Sequence, residues 1–347
     1  MQGDTITPIL QVLYGGKRRQ VQYDFIRAMA MIAVVLFHLL GHISAEPFCM
    51  KWWIKTGLSL MLSTSNGLFF LLSGKFNLTE KNASDPVRFY KKRTIAVIIP
   101  FVICSGLCHL AETYASGANE SYIHALIQTF PSTHYWFVYE LIGLLFWTPL
   151  FARAIKDIDA HSALALTAGA LTIQACFVFC KNLGIYPGYE MPLMGWPLFY
   201  FVGSYADRLT KKWRKRVILA GGAALVTSLG QLRIFPDASH GLYDLSPRYF
   251  LMVMAAYYIL QMIPVSGWTG KMVMLLSRNS YYVYLIHNTI IAFLFAEALG
   301  IYDRLMPKMG TVPYLVMTFV LCLMISIAIG SVIRRAIDYI FKNDLKT

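Results

Sequence analysis

An arginine and a histidine stand inside one apolar stretch, YDFIRAMAMIAVVLFHLLGH, at residues 23–42. A charged side chain in a membrane span is costly, roughly 2.5–3.5 kcal/mol for an arginine at the helix centre on insertion scales. Arg27 and His38 are eleven positions apart. At about 100° per residue they fall only about 20° apart around a helix, and about 16 Å apart along its axis. An imidazole can take a proton from a hydroxyl, and a guanidinium can hold an anion. A cation near one membrane surface and an imidazole in line with it towards the other imply a reaction path that crosses the membrane. Asp24, three residues before Arg27, can pair with it. The plain alternatives are an interfacial anchor for Arg27 and a bundle-bracing hydrogen bond for His38. His42, one turn further on, makes a His38/His42 metal pair conceivable. No cysteine or carboxylate cluster accompanies the pair, so no metal is expected.

Three further segments carry polar groups into apolar surroundings. FYKKRTIAVIIP, at 89–100, sets Lys91, Lys92 and Arg93 at the start of a span. A topology signal explains them, and so does binding of the phosphates of a nucleotide-like ligand. GLFFLLSGKFN, at 67–77, contains Ser73 and Gly74, a helix stop where a ligand could approach the backbone closely. HYWFVYELIGLLFWTP, at 134–149, contains Glu140, expected about six residues from a span's outer end and so near the depth of His38. A carboxylate there would orient an imidazole and stabilise its charged form. His287, in SYYVYLIHNTII at 280–291, is a lone intramembrane histidine, structural or functional.

The elements that must position these groups follow from composition. The 347 residues are 57% hydrophobic and 14% charged, and apolar runs near 20 residues recur, as in multi-span membrane proteins. The expected class is all-α integral membrane, with about ten transmembrane helices near 25–43, 56–74, 95–114, 135–152, 162–180, 193–207, 217–231, 249–265, 280–299 and 313–333. Spans six and seven read as short. One set of loops and tails holds 22 Lys or Arg, among them Lys17–Arg19, the Lys81–Arg93 run, Arg208–Arg216 and the tail from Arg334; the opposite loops hold seven. The positive-inside rule then puts both termini in the cytoplasm, as an even span count requires. The net charge of +13 therefore reads as topology, and no nucleic-acid partner is expected. Trp52, Trp53, Tyr135, Trp136 and Trp196 read as interfacial belts. Neither Cys104/Cys108 nor Cys176/Cys180 has zinc-pair spacing, and five of the six cysteines fall in apolar segments as packing residues. The first apolar segment lacks a small-residue cleavage site, so it is expected to stay as a span. The chain reads as one transmembrane domain over 1–347, with a cytoplasmic segment at 1–22 and a cytoplasmic tail at 334–347.

Taken in order, YDFIRAMAMIAVVLFH, FFLLSG, FYKKR followed by Pro100, HYWFVYELIGLLFWTP, VGSY and YLIH resemble the acyltransferase-3 family of integral-membrane acyltransferases over nearly the whole chain. The resemblance is greatest to the shorter branch linked to surface polysaccharides. It implies a bacterial plasma-membrane enzyme. The donor would be acetyl-CoA or another acyl-CoA from the cytosol, and the acceptor a sugar hydroxyl on a cell-surface glycan or its lipid-linked precursor. By the same resemblance His38 would be the base or acyl carrier, Arg27 its partner, and Arg93 a contact of the CoA phosphates, with Lys91, Lys92, Ser73 and Gly74 around it. Two departures stand out. The position three residues after Arg93, where many members carry a second arginine, is Ala96, and Glu140 is offset by one from the glutamate of longer members. Acyl-CoA, a glycan acceptor and membrane lipid are the expected partners, with the oligomeric state open. A proton-coupled transporter of a small anionic or sugar-like solute is the rival reading, because buried Arg, His and Glu mark such carriers too; no inverted repeat supports it.

Overall fold

The computed structural model describes residues 21–117, 120–129, 132–185, 195–234, 246–295 and 300–342. Lys17–Arg19, Lys346 and the expected start of span six at 193 lie outside them. Ten principal helices follow one another: α1 Val21–Gly41, α2 Met50–Asn77, α3 Pro86–Ser116, α4 Thr133–Ala154, α5 Ala160–Asn182, α6 Trp196–Tyr205, α7 Lys211–Ile234, α8 Pro247–Met262, α9 Gly267–Phe295 and α10 Thr311–Ile340. Each expected span falls on one of them, and the described residues contain no strand. Seven are long and apolar enough to cross a membrane: α1 to α5, α7 and α10. The class is thus all-α membrane. Several boundaries move. α6 is short, at 10 residues, but α7 runs for 24, because its first turns carry Lys211, Lys212, Arg214, Lys215 and Arg216. α10 continues to Ile340, so the expected tail from residue 334 begins as helix.

Local chemistry sets the helix starts. Asp85 accepts from the Arg88 N–H ahead of Pro86 in the first turn of α3, and Ser246 does the same for Tyr249 ahead of Pro247 in α8. Asp159 caps α5 through the His161 and Ser162 N–H groups. These side chains satisfy donors that the first turn leaves free. Inside α3, Pro100 has no N–H to return to the preceding turn. The helix widens there into a π turn over Thr94–Ile98, and Tyr281 of α9 donates to the Val97 carbonyl at 3.0 Å.

Packing within lipid gains little from apolar burial alone, so close backbone approach and interhelical hydrogen bonds matter more. α1 lies against α2 and α9; α9 also packs on α3 and α10; α2 packs on α6 and α8, and α7 on α8. At the α2–α6 crossing two glycines act reciprocally. A Cβ on Gly74 would sit 1.7 Å from the Tyr200 carbonyl oxygen, and one on Gly203 would sit 2.0 Å from that of Leu71. The reading of Gly74 as a ligand contact is therefore corrected: the other helix fills the space that the missing side chain leaves. Nor do Ser73 and Gly74 stop α2, which continues to Asn77. The aromatic belts need the same correction in part. Tyr135 is fully buried and donates to the Leu285 carbonyl at 2.7 Å. Trp196 is buried with its ring stacked on Phe70.

At the Arg27 end of the bundle, one carboxylate ties several helices together. Asp207, just after α6, accepts from Tyr23 of α1 at 2.7 Å, from Lys75 of α2, and from Tyr257 and Gln261 of α8 at 3.0 and 2.8 Å. Arg214 of α7 donates to the Asp207 main-chain carbonyl at 2.6 Å. Burial pushes the Asp207 carboxyl up, but the bonds from Lys75, Tyr23 and Gln261 outweigh it and hold the group down at about 2.

Two outcomes follow. Gly74→Ala and Gly203→Ala should each lower stability by about 1–3 kcal/mol or more, the usual cost of overpacking. Gly222→Ala, where nothing lies within 4 Å, should be silent. Thermal unfolding in detergent measures all three, and an unaffected Gly203→Ala would contradict the close crossing. Asp207→Asn should cost about 1–3 kcal/mol at neutral pH, the worth of hydrogen bonds to a charged group. A carboxylate whose folded value lies below its ordinary 3.8 stabilises above that value and loses its contribution as pH falls through about 2. The gap between wild type and Asp207→Asn should therefore narrow at about pH 3; an undiminished gap there would contradict this account.

Candidate functional site

α1 and α9 lie side by side and run in the same direction, since their contacts climb in step. Near the start of α1, Arg27 lies 3.5 Å from Asp24 and 3.4 Å from the Ser277 hydroxyl of α9, which itself donates to Asp24 at 2.6 Å. The guanidinium also lies over the Phe76 ring of α2 at 5.5 Å. In the last turn of α1, the His38 Nδ1 meets the Val34 carbonyl at 2.9 Å and the His287 Nε2 of α9 at 3.3 Å. The two residues that share a face of α1 thus meet the same neighbouring helix, ten positions apart along it. His38 stands closer to its helix end than the expected span boundary at 43 implied.

His287 is fully buried. Its Nδ1 faces two main-chain carbonyls of its own helix, Tyr284 at 2.7 Å and Val283 at 3.1 Å. Carbonyls only accept, so Nδ1 carries the proton. The Cys322 thiol of α10 donates to the His287 carbonyl at 3.7 Å and holds the next helix against this turn.

A third imidazole completes the cluster. His134, at the start of α4, has its ring centroid 5.0 Å from that of His287 and 6.4 Å from that of His38. Its Nδ1 pairs with Ser132 at 2.9 Å, and Ser132 accepts from Asn288 of α9 at 3.1 Å. The Tyr284 hydroxyl donates to the His134 carbonyl. In the sequence, His134 is only the first residue of the 134–149 segment. A histidine directly after Pro131-Ser132-Thr133, at the mouth of an apolar helix, was the signal available, but nothing local distinguishes it from a helix-start residue. The three rings stand edge-on to one another. Among the described residues no group of three or more His, Cys, Asp or Glu side chains is arranged to hold a metal ion.

Other expected residues go elsewhere. Glu140 lies on the exposed side of α4; the group that this segment brings to His38 is an imidazole, not a carboxylate. His42 leaves the line of Arg27 and His38 and stacks on Phe295 at 4.0 Å.

The basic cluster is built on the first turns of α3. Arg93 stacks over Phe89 at 5.4 Å, and its Nε is buried with no hydrogen-bond partner among the described residues. The Arg88 Nε and the Asn77 Oδ1 are buried and unpartnered as well. Arg93 and Asn77 both lie beside Tyr200, whose hydroxyl bonds Thr148 at 2.6 Å. Lys91 is exposed and Lys92 half-buried on the same stretch, and Ser73 is half-buried one residue before Gly74. Buried donors and an acceptor without partners are costly unless a ligand or water completes them. The donor set suits an anionic, amide-bearing molecule.

A family model described as an acyltransferase domain, that of the acyltransferase-3 family, matches residues 20–330. No curated protein and no solved structure matches the chain.

Proposed function

The chain belongs to the acyltransferase-3 family of membrane acyltransferases, and on that premise we propose that it moves an acetyl group from cytosolic acetyl-CoA to a sugar hydroxyl of a cell-surface polysaccharide or its lipid-linked precursor. The observation that carries this reading is the α1–α9 pair, with a cation at one end and an imidazole cluster in line at the other. In the proposed topology both termini face the cytoplasm of a bacterial plasma membrane. Arg93, Arg88, Lys92 and Lys91 then lie at the inner mouth, where they hold the phosphates of the donor by charge-assisted hydrogen bonds. Arg27 lies on the line between that mouth and His38.

At the other end, His38 takes the proton of the acceptor hydroxyl as that oxygen bonds to the thioester carbonyl carbon. The carbon–sulfur bond breaks, and the departing thiolate collects the proton from His38, leaving acetylated sugar and free CoA thiol. General-base assistance of this kind is typically worth about 10²–10⁴-fold in rate. Transfer through an acetyl group carried on His38 uses the same residue. Family membership favours acyl transfer over solute transport.

Two measurements test the proposal. Arg93→Ala should weaken acetyl-CoA binding by roughly tenfold or more, since hydrogen bonds to charged groups contribute about 1.5–3 kcal/mol. Unchanged donor affinity at low and moderate salt would leave these cations a topological role only. His38→Ala should slow acetyl transfer by about 10²–10⁴-fold while the protein still binds acetyl-CoA. Near-normal transfer by a folded His38→Ala protein would remove the base from the mechanism.

A further inference from the structure

The contacts at His38 specify more than a nearby imidazole, and they do so through proton bookkeeping. The His38 Nδ1 lies 2.9 Å from the Val34 carbonyl oxygen. An oxygen of that kind cannot donate, so Nδ1 bears the ring proton when His38 is neutral. The same rule applies to His287, whose Nδ1 faces the Tyr284 and Val283 carbonyls. Its Nε2 is then a bare lone pair, and that lone pair lies 3.3 Å from the His38 Nδ1. Donor meets acceptor. The Val34 carbonyl and the His287 lone pair share one proton in a three-centre bond. The remaining nitrogen, the His38 Nε2, has no partner among the described residues, and it is absent from their fully enclosed unpartnered atoms. Its ring stays half-buried while His287 is fully buried behind it.

From this geometry we infer that the His38 Nε2 is the reacting nitrogen and that His287 is its positioning residue. His287 holds the Nδ1–H tautomer and accepts from the imidazolium that forms when His38 takes a proton. The inference rests on the acyl-transfer reading above and adds to it both the atom and the partner. The role is the one a carboxylate plays in other histidine-dependent sites, here filled by a neutral imidazole whose own proton is anchored on its helix backbone. A neutral acceptor orients the base without placing a buried charge beside it. His134 stands on a third side of the cluster, its Nδ1 engaged with Ser132 and its Nε2 buried without a partner among the described residues.

The test uses the full chain in lipid nanodiscs, with radiolabelled acetyl-CoA as donor and chemically de-O-acetylated surface polysaccharide of the source cells as acceptor. His287→Leu should lower kcat by about 10- to 100-fold, the worth of one hydrogen bond to a charged group, and leave the KM for acetyl-CoA unchanged. His287→Gln, which keeps an acceptor on a side chain of similar reach, should recover most of that loss. In a His38→Ala background His287→Leu should add nothing, because its effect passes through His38. Histidine nitrogen NMR of the wild-type protein should show His38 as the Nδ1–H tautomer, a readout that needs no variant. The inference is overturned by an Nε2–H tautomer at His38, by equal losses in the Leu and Gln variants, or by a further loss in the His38→Ala background. It is likewise overturned if His38→Ala is inactive while His287→Leu transfers normally. Normal transfer by His38→Ala instead removes the acyl-transfer role of His38, which is a different failure.

Discussion

Along the α1–α9 seam, polar side chains find partners on the facing helix or on their own backbone, because hydrocarbon offers none. That constraint places α1 against α9. Asp24, Arg27 and Ser277 satisfy one another at one end of the pair, and His38 meets His287 at the other. Both contacts must form in a single register, since sliding one helix by a turn, about 5.4 Å, would separate both. The apolar positions between them, Ala28, Ala30, Met31, Val34 and Val35 on α1, are buried, and they fill that register without specifying it.

The rest of the bundle keeps that pair in place. Asp207 gathers Tyr23, Lys75, Tyr257 and Gln261 from three helices at the Arg27 end. The reciprocal glycines of α2 and α6 bring two backbones into contact, and the same crossing sets Tyr200 beside Arg93 and Asn77. The π turn at Thr94–Ile98 follows directly on Arg93 and ends before Pro100. The proline that forces the turn thus also bears on how the basic cluster leaves the helix. Packing and the polar sites are therefore parts of one arrangement. At the His38 end the imidazoles are held by backbone carbonyls, a serine and a thiol, all neutral, so the site carries no fixed charge among the groups that hold its rings.

The amino-acid sequence by itself determined what is local or periodic. Apolar runs near membrane length placed the seven helices long enough to cross a membrane, because helix formation in lipid depends on the segment's own backbone hydrogen bonds. The eleven-residue spacing placed Arg27 and His38 on one face, because 3.6 residues per turn is a property of a single helix. The basic cluster at Lys91–Arg93 was equally legible as a run of charge. Only the tertiary structure decided which faces meet. Glu140 was legible as a carboxylate inside a span, but the rotation of α4 turns it outward and brings His134 to His38 and His287 instead. Tyr135 and Trp196 read as belt residues and are core; Gly74 read as an opening for a ligand and is a helix crossing. In each case the residue type is compatible with both roles. The choice rests on contacts between segments distant in sequence, which no local period encodes.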